Sequence, residues 1–75
     1  MKSSLKQIRH YACGELLLYR STYRMYHRAP YVTDEQLEHL YNHYIMIAGI
    51  YACGLISSDT FTRAYYMYFN ILYER

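Results

Sequence analysis

Tryptophan is absent from this 75-residue chain, proline occurs once, glycine three times, and no charged residue lies between Tyr44 and Ile56. Each shortage excludes something. No stretch alternates in polarity between turn signals, which argues against strands. Two cysteines cannot form a disulfide framework and do not show paired zinc-type spacing. Both thiols are therefore expected to be reduced, in a soluble cytoplasmic protein. The start of the chain has no secretory apolar stretch, because Arg9, His10 and Glu15 interrupt it. The uncharged run is shorter than the about 20 residues that a membrane-crossing helix needs. Glycine-flanked nucleophile elbows, phosphate loops and paired catalytic carboxylates are all missing. No catalytic residue, metal site or cofactor is expected, and the chain does not read as an enzyme.

What is present is apolar and aromatic. Hydrophobic residues make up 53% of the chain and 12 of its residues are tyrosine. A domain this small has a marginal core and cannot bury all of those rings. Tyrosine joins apolar ring area to a hydroxyl that wants a partner, so some rings are expected at half-wet or intersubunit surfaces. Charge is split along the chain. Residues 1–30 hold six Lys/Arg against Glu15, a net of +5, and residues 31–75 hold two against five acids, a net of −3.

Periodicity predicts one domain, residues 1–75, of helices at about 4–27, 34–54 and 58–74. In the first, Leu5, Ile8, Ala12, Leu16, Tyr19, Tyr23 and Tyr26 recur at steps of three and four. Ala29-Pro30 ends it, since a residue before proline is pushed out of the helical region. Thr33-Asp34-Glu35-Gln36 fits a capping box that opens the second helix. Its expected inner stripe is Leu37, Leu40, Tyr41, Tyr44, Ala48, Tyr51 and Leu55, with Gly54 as the exit. Met46, Ile50 and Cys53 make its other face apolar too. Ser57-Ser58-Asp59 supplies a serine N-cap for the third helix. There, Phe61, Ala64, Tyr65, Tyr68, Phe69 and Leu72 share a face, while Tyr66, Met67, Ile71 and Tyr73 fall outside it.

Other patterns are weaker. Tyr11-Ala12-Cys13-Gly14 repeats as Tyr51-Ala52-Cys53-Gly54, but the flanks share little, so coincidence explains it better than duplication. His39 and His43, with Glu35 a turn earlier, have spacing that a metal could use. A solvated helix edge is the commoner origin of such a row. Lys2, Lys6, Arg9, His10, Arg20, Arg24, His27 and Arg28 share one sector of the first helix. Such a row suits phosphates, with steep salt dependence, or an acidic protein face, or plain solvent.

Residues 51–71 place Ala52-Cys53-Gly54-Leu55 ahead of Phe61, Arg63, Tyr65 and Phe69. This segment resembles the second helix-turn-helix of AraC-type regulators, and the resemblance implies a third helix that enters a DNA groove. The match spans about a quarter of the chain and consists mainly of packing residues. The helix ahead of the turn is about twice too long, and Tyr66-Met67-Tyr68 stands where base-contacting residues belong. The segment is therefore read as convergence on a tight helical turn.

The sequence thus points to an all-α, three-helix bundle-like domain that forms a homodimer or higher oligomer. Its expected function is a non-enzymatic interaction module: a regulator or inhibitor, of the type phages and mobile elements carry, that self-associates and binds a macromolecular partner. Met46, Gly49, Ile50, Cys53, Met67 and Ile71 are the expected self-association residues. Tyr19, Arg20, Tyr23, Arg24, Arg28, Tyr66 and Tyr73 are the expected anchors for a protein partner, because aromatic and arginine side chains dominate such interfaces. The alternative is a small nucleic-acid-binding transcriptional regulator that uses the basic first helix.

Overall fold

The structure, a computed structural model, describes residues 5–74. Three helices, α1 (Leu5–Arg28), α2 (Asp34–Ala52) and α3 (Ser58–Glu74), pack as an all-α bundle in which each helix touches the other two. Lys2, Arg75 and the Leu5 side chain lie outside what is described.

Each boundary follows from local chemistry. α1 stops at Arg28, directly before Ala29-Pro30. α2 begins with the anticipated capping box: the Gln36 amide donates to Thr33 Oγ1 at 3.1 Å, and the Thr33 amide donates to Gln36 Oε1 at 3.0 Å. Asp34 and Glu35 sit in its first turn, where the helix dipole favours anions. α2 ends in a Schellman turn. Leu55 N–H reaches the Ile50 carbonyl at 3.2 Å, and Gly54 N–H reaches that of Tyr51 at 2.9 Å. Gly54 takes φ 76°, a left-handed value that favours glycine. Ser57 then caps α3 by accepting from the Thr60 amide at 3.2 Å.

The core is Ala12, Tyr19 and Tyr26 from α1, Leu37, Leu40, Ile47 and Ile50 from α2, and Ala64, Tyr68 and Ile71 from α3, with Val32 closing one end. Tyr19 is its centre. Its ring is fully buried and its hydroxyl donates to the Ala64 carbonyl of α3. Burial first, then the nearby Tyr44, pushes its pKa well above the ordinary phenol value.

The seams differ in chemistry. α2 and α3 meet through aromatic rings: Tyr44 stacks on Tyr68 with centroids 5.4 Å apart, and Tyr51 lies parallel to Phe61 at 4.5 Å. Between α1 and α2, His43 Nδ1 stands 3.9 Å from Glu15 Oε2, a half-buried pair.

The structure moves several residues from their expected faces. On α2 the inward stripe runs through Ile47 and Ile50, while Tyr41 and Tyr51 come to the surface. Tyr41 and Tyr51 pack their rings on Tyr68 and Phe61 along the α3 edge, which leaves Ile47 and Ile50 to face the centre. On α3, Ile71 is buried and Tyr65 is exposed. On α1, Ile8 emerges because every residue from Lys6 to Tyr11 is exposed.

Candidate interaction surface

The expected site residues fall into three groups. Tyr19, Ile50 and Ile71 are corrections: relative exposures of 0%, 7% and 3% place them in the core of the protomer, where they cannot meet a partner. Each carries large apolar area toward the centre of the bundle, and folding itself consumes it. Met46, Gly49 and Cys53 do face outward. With Ile45 and Ala52 they form the outer side of α2, which carries no charge from Asn42 to Gly54 except His43 on the inner edge. A Cβ added at Gly49 would meet nothing within 4 Å. Nothing inside the protomer therefore requires a glycine in mid-helix, where it weakens the helix by about 1 kcal/mol relative to alanine.

The third group gathers where α1 meets α3. Arg20, Tyr23 and Arg24 from α1 line one open groove with Arg63 and Met67 from α3. Tyr23 is half-buried and stacks on His27, with centroids 5.3 Å apart. Met67 is half-buried beside it. An apolar floor is thus ringed by guanidinium groups from two helices. Among the described residues the ion pairs are His27–Glu74 at 3.8 Å and His43–Glu15 at 3.9 Å, and neither involves these arginines. Arg28 and Tyr73 are exposed but do not line this groove. Tyr66, 60% exposed, stands on the outer edge of α3.

Across α3 lies a second groove, lined by Asp34, Leu37, Glu38 and Tyr41 of α2 with Tyr68 of α3. Its chemistry mirrors the first, with aromatic and aliphatic side chains below and carboxylates at the rim. Tyr41 and Tyr68 keep their centroids 5.5 Å apart there.

Sequence reasoning did not join Arg63 to the basic sector, because Arg63 belongs to the acidic half of the chain. The available signal was topology: α1 and α3 run the same way in an up-down-up bundle, so Arg63 comes level with Arg20. Leu17, Leu18 and Met25, exposed by 63%, 49% and 66%, were also missed. Leu18 and Met25 fall outside both the apolar stripe and the basic sector, and Leu17 interrupts the basic sector itself, three residues before Arg20 and seven before Arg24. His39 and His43 do stand together, with ring centroids 4.7 Å apart. Among the described residues no group of three or more His, Cys, Asp or Glu side chains is placed to hold a metal ion, and no helix is long and apolar enough to cross a membrane. No family model, curated protein or solved structure matches the chain, so any functional reading rests on this geometry.

Proposed function

We propose that this protein is a small non-enzymatic interaction module, a regulator or inhibitor that self-associates and binds a macromolecular partner. The observation that carries the reading is the amount of large apolar surface left outside the core. Met46, Ile45 and Tyr51 on α2, Tyr66 and Tyr73 on α3, and Leu17, Leu18 and Met25 on α1 are all at least 38% exposed. Scattered exposed side chains are ordinary on a monomer. An uncharged helix face with an unexplained glycine at its middle is not, and such faces mark association sites. Self-association through the outer sides of α2 and α3 covers the part of this area that those helices carry, and a two-fold dimer is the commonest solution. The arginine–tyrosine groove beside Met67 has the composition of an interface anchor.

Light scattering on wild type and on Met46→Glu tests the self-association half. Met46 is 43% exposed, so the variant is expected to keep its helical circular dichroism. A mass that falls toward the 9.1 kDa of one chain supports the reading. A wild type already at that mass at high micromolar concentration refutes it.

A second reading, nucleic-acid binding, draws on the first turns of α1, where Lys6, Arg9 and His10 stand clear of the other helices. Titration with duplex DNA at two salt concentrations separates the readings. A steep salt slope that Lys6→Ala/Arg9→Ala reduces would favour nucleic acid. Binding absent at low salt would favour protein.

A further inference from the structure

The two grooves beside α3 are complementary to each other. One rims an aromatic and thioether floor with Arg20, Arg24 and Arg63. The other rims a tyrosine and leucine floor with Asp34 and Glu38. The α3 residues that floor them, Met67 and Tyr68, are consecutive, so the two floors meet α3 at one height on opposite flanks of the same helix, with Arg24 and Glu38 nearest in level on the two rims. Among the described residues, neither the three arginines nor Glu38 joins an ion pair within the chain. Between the grooves runs the outer edge of α3, where Tyr66 and Tyr73 are 60% and 80% exposed, two turns apart.

Symmetry decides what this layout can bind. Place two copies face to face with α3 against α3, related by a two-fold axis parallel to the helix. The rotation exchanges left and right flanks and keeps height. Each arginine groove then meets the acidic groove of the other copy, twice over, and the tyrosine edges meet at the axis. A two-fold axis perpendicular to α3 would instead oppose arginine to arginine, which like-charge repulsion disfavours. The contact is isologous, so it closes at two copies.

We propose that the occupant of the arginine groove is a second copy of this chain, docked through parallel α3 helices with the arginine rim, Arg24 foremost, against the partner's Glu38. The proposal rests on the self-association reading and narrows it to one face. It differs from an apolar contact through α2 in being salt-dependent, because rim charges are screened within a Debye length of roughly 10 Å at 0.1 M salt.

Charge exchange tests it. Arg20→Glu/Arg24→Glu makes both flanks acidic, and Asp34→Asn/Glu38→Lys makes both basic. All four side chains are on the surface or half-buried, so circular dichroism is expected to report an unchanged fold. Self-affinity of each variant, read by sedimentation velocity at low salt, is expected to fall roughly 100-fold or more. Mixed one to one, the two variants are expected to form heterodimers that native mass spectrometry finds in excess over either homodimer. Homodimers and heterodimers in statistical ratio, with both variants as strongly associated as wild type, would overturn the docking geometry and leave self-association through α2 standing. A wild type that never exceeds one chain would remove both. An Arg20→Glu/Arg24→Glu protein that keeps the wild-type mass but loses duplex DNA binding would place phosphates in the groove instead.

Discussion

The outer side of α2 and the face centred on α3 are both exposed, but they are built from opposite materials. Around Gly49 the α2 surface has shape and grease without charge, with Met46 and Cys53 as its neighbours. Around Tyr66 the α3 surface has aromatic rings with cations on one flank and anions on the other. The difference lies in register and strength. A featureless apolar face associates through buried area and tolerates sliding, as hydrophobic burial is non-directional. A face with opposed charges on two flanks selects one orientation, because charge complementarity fixes register more than it adds affinity.

Truncation on the two sides of α2 should break the comparison most forcefully if it is wrong. Ile47 is fully buried and Met46 is 43% exposed, one residue apart. Ile47→Ala is expected to lower unfolding stability by about 2–5 kcal/mol, and Met46→Ala by less than about 0.5 kcal/mol. Urea denaturation measured on dilute protein checks both. Equal losses would mean that the outer side of α2 is packed within the protomer.

Next in size is an alkaline effect from rings whose pKa burial raises, Tyr19 in the core and Tyr44 on the α2–α3 seam. Tyr19 is held above its ordinary pKa of 10.0 by burial. A raised folded-state pKa means stability is complete below the unfolded value and is lost as pH rises through and beyond it. Urea midpoints should therefore fall above pH 10.0, and Tyr19→Phe should flatten that fall. Tyr66→Phe, on the α3 edge, should leave it unchanged.

Gly49→Ala sharpens the comparison from inside α2. Nothing stands within 4 Å of the added Cβ, so the isolated protomer should gain about 1 kcal/mol from helix propensity. If a second helix approaches at Gly49, association should weaken at the same time, which concentration-dependent melting would separate. The smallest effect is expected from salt. Raising sodium chloride should weaken any contact through the α3 flanks and leave contact through α2 unchanged or slightly stronger, as sedimentation at two ionic strengths would show.

Helix boundaries were legible because each rests on a local device. Thr33 with Gln36, Gly54, Ser57 and Pro30 act within four residues of themselves, and all four appear at their expected helix ends. Helix faces were less legible. In an uncharged run such as Tyr44 to Ile56, periodicity has no polar side to count from, so Ile47 and Ile50 could not be told from Ala48 and Tyr51 as inward residues. Tyr19 shows the same limit. Tyrosine suits both a wet edge and a buried hydrogen bond, and only the position of Ala64 on another helix decides between them. The basic groove was half legible: Arg20, Tyr23 and Arg24 share a face of α1, but Arg63 joins them through the fold.

The most direct test of the central claim is the mass of the wild-type protein by sedimentation equilibrium, from low to high micromolar concentration. The exposed faces of α2 and α3 predict a mass that rises with concentration from 9.1 kDa toward at least twice that value. A constant 9.1 kDa over the whole range, with the helical fold intact, would contradict it.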